Sequence, residues 1–559
     1  MNVVVNGYGP TETTTFITHH RMDELAEDVA DIPVGRPLDN MRVYVLDTGL
    51  GLVPPGVVGE LYVAGGGVGR GFVGRPGPAG GGFSPRDVFR WRTVEALAGV
   101  AQTASVGVVA EAAGESLGEV PSTPVMSLFA ERGGPVDGFY QSMGARVPSG
   151  TRFPQVERSV QAVLDHHDAL RMCAVLEGDR WELTVPAADA LRAGSILRRV
   201  DVAGLSQDAV AGVVVEQRVA AQGRLVPADG VLLQAVWFDA GPAAEGLLLL
   251  VVHHLVVDGV SWRILVPDVE AALAAVVAGR EVELAAVATS FRRWARQLAG
   301  EAEVRAGELA LWQRVARTAD PLLGARGLDP LVDVASSAGQ LEVRLPVEVA
   351  GPLLGAVASA FRGEVNDVLL TGLSRAVNRW RGTDGPVLVD LEGHGREEVA
   401  AGLDVTRTVG WFTTVYPVSL EPGSGDVGSS VKRVKEQLRE IPDKGIGYGL
   451  LRYANVDTAT EFEGPAPQIG FNYLGRFQTG THSDGALTQA AGLSGGMDAG
   501  MPLAHVVEVN ALAEDSGEGP ELRAVWSWAG ELLSEERVAE LAQAWFEELT
   551  ALVQAVTEG

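Results

Sequence analysis

The sequence holds a single cysteine, Cys173, among 559 residues. That excludes an internal disulfide and any metal site built from several thiolates. Cys173 itself reads as a small buried apolar residue. Positive charge is also scarce: 44 Lys and Arg stand against 72 Asp and Glu, a formal net charge of −28. Without clustered cations to displace phosphate counterions, nucleic acid is excluded as a partner, and so is an anionic membrane surface. Long apolar runs are missing too. The most apolar stretch, Gly246 to Val252, is too short to span a bilayer and leads into two histidines. The amino terminus, MNVVVNGYGPTE, has neither the basic stretch nor the apolar run of a secretory signal. A cytoplasmic enzyme or scaffold is expected.

What is present is an ordinary globular balance, with 46% hydrophobic and 21% charged residues. The length alone allows about three or four domains of roughly 150 residues. The first 80 or so residues differ in character from the rest: Val3 to Phe16 and Val58 to Pro76 read as strands with glycine-rich turns. From about Val120, strands and helices alternate. Gln155 to Met172 carries Val156, Val160, Val163 and Leu164 at helical spacing. Gly246 to Val257 predicts a central strand buried on both faces, followed by a helix from Ser261 to Ala278. A strand over Gly385 to Asp390 and a helix over Ser429 to Glu440 complete the reading. The fold class is α/β.

Two clusters carry chemistry. In HHLVVDGVSW, His253 and His254 are adjacent on a strand and point to opposite faces, so one faces a cavity while the other packs inward. The same opposition argues against a metal site formed by His253, His254, Asp258 and His394. Asp258 is open to three readings: helix cap, ion-pair partner or general base. In LVDLEGHGREE, a strand ends in Glu392, and His394 and Arg396 follow on a glycine-permitted turn. A carboxylate there can take and return a proton if its site is desolvated. His166 and His167, in HHDALR, mimic the first cluster but lie on an amphipathic helix and read as structural.

From about Val120 to the end, the chain resembles the epimerization domains of nonribosomal peptide synthetases. The resemblance rests on TPVMSLF (Thr123 to Phe129), HHLVVDGVSW, NDVLLTGLSRA, EGHGRE, RTVGWFTTVYP, PDKGIGYGLLRY and FNYLGRF. HHxxxDG is shared with peptide-bond-forming condensation domains; EGHGRE, RTVGWFT and FNYLGRF, in that order, mark the epimerizing branch. The resemblance implies a two-lobed chloramphenicol-acetyltransferase-like fold, a pseudo-dimer with a tunnel between lobes, at 120–300 and 301–559. It implies inversion of the Cα stereocentre of an aminoacyl or peptidyl thioester carried on a phosphopantetheine arm. His254 and Glu392 would be the catalytic residues. His253, Asp258, Gly259, Trp262, His394 and Arg396 would support them, with Arg171 as the partner expected for Asp258. Trp411, Tyr416, Asn472 and Tyr473 are candidates for the tunnel wall, though each could equally be core.

The amino-terminal piece resembles part of an adenylation domain (1–78). NGYGPTETTTF and VGELYVAGGGVGRGFVGRP match two late motifs in which Thr11 and Glu12 would help hold ATP and magnesium. The earlier phosphate-loop segments and the later aspartate and lysine motifs are not found, so no amino-acid activation is expected from it. Residues 79–102 resemble only the closing helix of a carrier domain, and 103–119 read as linker. No metal and no covalently bound cofactor are expected. The phosphopantetheine would arrive on a peptidyl carrier protein acting in trans, with other synthetase modules as partners. The alternatives are peptide-bond condensation through His254 and an inert, carrier-docking remnant.

Overall fold

The computed structural model describes residues 4–8, 18–22, 36–37, 41–46, 60–65, 111, 114–397, 399–400, 402–462, 466–478, 487, 492–516 and 519–557. It divides into two compact units, Met1–Gly107 and Val108–Gly559. In the first, β1 (Val4–Tyr8) pairs antiparallel with β2 (Thr18–Met22), and β2 with β3 (Arg36–Pro37). β4 (Met41–Leu46) and β5 (Glu60–Gly65) form a separate antiparallel pair. Thr11, Glu12 and the segment expected to close a carrier domain, 79–102, lie outside the described residues.

The second unit is a two-lobed α/β structure. Its first lobe runs through β6 (Gly118–Val120), α1 (Pro124–Arg132), β7 (Tyr140–Val147), α2 (Phe153–His166), β8 (Cys173–Glu177) and β9 (Arg180–Val185). It continues with β10 (Leu197–Asp201), α3 (Gln207–Gln222), β11 (Leu233–Asp239), β12 (Gly246–His253), α4 (Gly259–Val277) and α5 (Phe291–Glu301). The main sheet has the order β10-β11-β12-β7. β12 is buried on both faces because alternate residues enter different cores. Leu248, Leu250 and Val252 join the main core of the lobe. Leu247, Leu249 and Val251 pack with Val210 and Val214 of α3 in a second cluster. The strand stops at His253, short of the expected Val257, because His254–Val256 turn into a 3₁₀ helix.

α2 also ends earlier than its apolar spacing suggests. Arg171, from the following 3₁₀ turn, donates to the carbonyls of Leu164 and Asp165 and so satisfies the helix's last turn. His167 leaves the helical conformation and bonds Asp268 of α4 at 2.8 Å.

The second lobe contains β13 (Ala338–Leu345), α6 (Val365–Arg381), β14 (Val387–Gly393), β15 (Thr414–Leu420), α7 (Val427–Arg439) and β16 (Ile469–Gln478). β17 (Ser494–Gly496), β18 (Val507–Ser516), β19 (Gly519–Ala529) and α8 (Glu535–Thr557) follow. Its sheet has the order β13-β19-β18-β16-β14-β15, with β14, β16 and β18 parallel. One face is core: Leu391, Phe471, Val507 and Val509 pack there with Trp545 of α8. The alternate positions Asp390, Glu392, Asn472, Glu508 and Asn510 therefore share the opposite face. β17 does not join this sheet. It pairs with β7 as the fifth strand of the first lobe's sheet, tying the lobes together.

Candidate active site

A cavity of about 410 Å³ is lined by residues of both lobes, among them His254, Trp411, Arg132, Glu392, His505 and Glu508. The first lobe supplies His254, directly after β12. The two histidines diverge where the strand ends between them: His253 is the last residue of β12 and His254 opens the 3₁₀ turn. His253 is fully buried, its Nε2 donating to the Val136 carbonyl at 2.8 Å and its Nδ1 accepting from the Leu255 amide at 3.2 Å. His254 turns to the cavity, stacked on Phe139 at 4.7 Å and against Trp411 at 4.7 Å. Burial pushes both imidazoles down to about 4, and the Arg132 charge acts in the same direction on His254. His254 is therefore neutral at pH 7.

The second lobe supplies Glu392, inside β14. The parallel register sets Asp390 beside Gly470 and Leu391 beside Phe471, so Glu392 falls beside Asn472. Asn472 Nδ2 donates to Glu392 Oε2 at 2.8 Å. Burial, reinforced by the negative charge of Glu508, pushes Glu392 up to about 7. Behind it lies a charged cluster: His505 Nε2 meets Asp390 Oδ2 at 3.1 Å, and its Nδ1 lies 3.7 Å from Glu508 Oε2. Burial opposes charge on His505 and Glu508 alike, but their interactions win. The two carboxylates hold His505 at about 9, and His505 holds Glu508 at about 2. Gly470 makes the cluster possible, since a Cβ there would stand 2.5 Å from His505 Nδ1.

Asp258 is a structural hub, and its partner is Arg396 rather than Arg171. Asp258 caps α4 by accepting from the Ser261 amide at 2.7 Å, and accepts from the Phe412 amide at 3.1 Å. Arg396 Nη2 reaches it at 3.2 Å, while Nη1 donates to the carbonyls of Val405 and Thr408. The guanidinium also stacks 3.9 Å over the Phe412 ring. Arg171 is committed to the end of α2, which removes it from this network. Gly395, at φ 66°, is required: a Cβ there would lie 1.6 Å from the Phe412 carbonyl oxygen. Gly259, the first residue of α4, follows Asp258 directly.

Other sequence candidates separate. His394 is half exposed, accepts from the Arg396 amide at 3.0 Å and is not among the residues lining the cavity. Of the four wall candidates, Trp411 lines the cavity; Tyr416, Asn472 and Tyr473 do not. Tyr416 belongs to the second lobe's core, against the backbone of Gly445, and Tyr473 packs on that core's rim. Asn472 instead hydrogen-bonds Glu392, which does line the cavity. The four residues written as metal ligands do not converge; among the described residues the group that does is His166, His167 and Asp268, where Arg407 already holds Asp268 at 2.6 Å.

Sequence reasoning missed Arg132, His505, Glu508, Asp390 and Gln141. Arg132 ends α1, three residues beyond the TPVMSLF segment, and it lines the cavity. Gln141, on β7, bridges Trp262 and His254. The alternating Glu508 and Asn510 on β18 were the available signal for a polar sheet face.

Residues 137–493 match the Condensation domain family, and residues 1–73 match the AMP-binding enzyme family. The chain is 34% identical to a linear gramicidin synthase protein of Brevibacillus parabrevis over 521 residues, 90% of this chain and 7% of that protein. It thus spans a small fraction of the length of such relatives. In structure it resembles the epimerization domain from the third module of tyrocidine synthetase B, with TM-score 0.68 and 28% identity over 81% of this chain and 98% of that one. The condensation domain of the Monacolin K polyketide synthase shares the fold at TM-score 0.58 and 14% identity, over 78% of this chain and 98% of that one. No helix among the described residues is long and apolar enough to cross a membrane. The paired lobes, the HHxxxDG strand end facing a cavity and the family match together place this chain in the condensation-domain family.

Proposed function

We propose that the unit Val108–Gly559 inverts the Cα stereocentre of an aminoacyl or peptidyl thioester presented by a carrier protein. The observation that carries this reading is Glu392: a half-buried carboxylate in the same cavity as His254, oriented by Asn472 and poised at about 7. Peptide-bond formation requires no such group. A base whose pKa lies near the working pH can take a proton and give it back.

In the proposed reaction the Glu392 carboxylate removes the Cα proton, and the C–H electron pair delocalises into the thioester as an enolate. Negative charge then develops on the thioester oxygen. His254 is neutral and brings no full charge to the site. Arg132 supplies the cation on the same cavity wall. Preorganised stabilisation of this kind is often the largest contribution to such a step. Return of a proton to the opposite face of Cα completes inversion, with no net gain or loss of protons. The likeness to a tyrocidine synthetase epimerization domain supports the same reading.

The test loads a separate carrier protein with an L-aminoacyl or L-dipeptidyl phosphopantetheine thioester and analyses product chirality. Conversion toward an L/D mixture is expected. Retention of L with peptide-bond formation from two loaded carriers would assign condensation instead. Carrier binding without either reaction would leave a docking remnant.

A further inference from the structure

The hydrogen bonds around His254 give its two ring nitrogens different states. An indole N–H can only donate, and Trp262 Nε1 donates to Gln141 Oε1 at 2.8 Å. That contact decides which end of the Gln141 amide is oxygen. The amide NH₂ then faces His254 Nε2 at 2.8 Å and must be the donor. A ring nitrogen that accepts carries no proton, so neutral His254 keeps its proton on Nδ1. The flipped amide would set N–H against N–H at the indole, and leave both donors unmet in a buried site. His253 is held the other way, since its Nδ1 accepts and its Nε2 donates. The adjacent histidines are thus opposite tautomers.

We propose that Gln141, oriented by Trp262, is a positioning residue that fixes the tautomer of His254, with the proton on Nδ1 and the lone pair on Nε2. The relay joins three elements: β7 carries Gln141, α4 carries Trp262, and the 3₁₀ turn after β12 carries His254. The ladder sets Gln141 opposite Val252 and Tyr140 opposite His253, which brings the amide within reach of the ring. Trp262 is only 1% exposed, so little room remains for the amide to turn. In this state His254 can accept a proton only at Nε2 and donate only from Nδ1, which is itself buried without a partner among the described residues. The catalytic consequence rests on the proposed function; the tautomer does not.

The test uses the full chain with ¹⁵N-labelled histidine, with His254→Gln to assign the His254 signals. In wild type the Nδ1-protonated neutral form is expected above pH 6. Gln141→Glu keeps an acceptor for Trp262 but presents a second carboxylate oxygen to Nε2. The proton should move to Nε2 and the titration should rise by about one unit or more. Trp262→Phe frees the amide and should give a mixture of tautomers, a second readout should Gln141→Glu fail to fold. With a carrier-bound thioester, Gln141→Glu should lower kcat for Cα exchange by about 10²-fold with KM little changed. A wild-type proton on Nε2, or unchanged spectra in both variants, would overturn the proposal. An inactive wild type with the stated tautomer would defeat the functional reading and leave this one standing.

Discussion

Asn472 donates to Glu392 across 2.8 Å, from strand β16 to its parallel neighbour β14. The bond favours the ionised carboxylate and fixes its rotamer, against burial and a nearby Glu508 that both favour the protonated form. Asn472→Leu should therefore raise the Glu392 pKa. Bonds to charged groups contribute about 1.5–3 kcal/mol, so Cα exchange at pH 7 should fall by roughly tenfold or more. The pH–rate profile of the variant checks this.

The wild-type rate should rise with pH through about 7 as Glu392 loses its proton. Glu508→Gln removes a negative neighbour, and the rising limb should move to lower pH. Arg132→Met removes a positive one, and the limb should move to higher pH. Opposite displacements in the two variants are the expected result of measuring kcat against pH.

Asp258 and Arg396 are both nearly buried and hold each other, the cap of α4 and the loop at Phe412. Asp258→Ala should destabilise the protein by about 3–5 kcal/mol, since it leaves the guanidinium without its partner. Denaturant unfolding of Asp258→Ala, Arg396→Ala and the double variant should show strong coupling. Arg171→Ala combined with Asp258→Ala should be additive, because the two residues serve different elements.

His505, with its folded pKa raised to about 9, contributes stability that is complete below its unfolded value near 6.5. That contribution is lost as pH rises through 9. Glu508, depressed to about 2, contributes above its unfolded value and loses that only as pH falls through 2. Between pH 6.5 and 9.5 the wild-type Tm should thus decline more steeply than that of His505→Gln. Thermal melts across that range decide it.

Part of this site was legible in the sequence. The divergence of His253 and His254 was expected from strand alternation, but it arises where β12 gives way to a 3₁₀ turn. A cap on α4 was one of three readings open to Asp258. Periodicity could not say that Asp258 would find Arg396, 138 residues away, instead of the nearer Arg171. Nor could it reveal that α2 ends where an arginine returns to cap it. Register between parallel strands is set by tertiary packing, so Asn472 beside Glu392 was visible only in three dimensions. Tyr416 shows the limit from the other side: an aromatic in a motif-rich segment turned out to fill the core over Gly445.

The most direct test of the central claim is Cα deuterium exchange on a carrier-bound L-aminoacyl or L-peptidyl thioester in D₂O. Wild type should incorporate solvent deuterium and form the D epimer, and Glu392→Gln should reduce both by about 10²–10⁴-fold while remaining folded. Exchange at the wild-type rate in Glu392→Gln, or none in the wild type, would contradict the account.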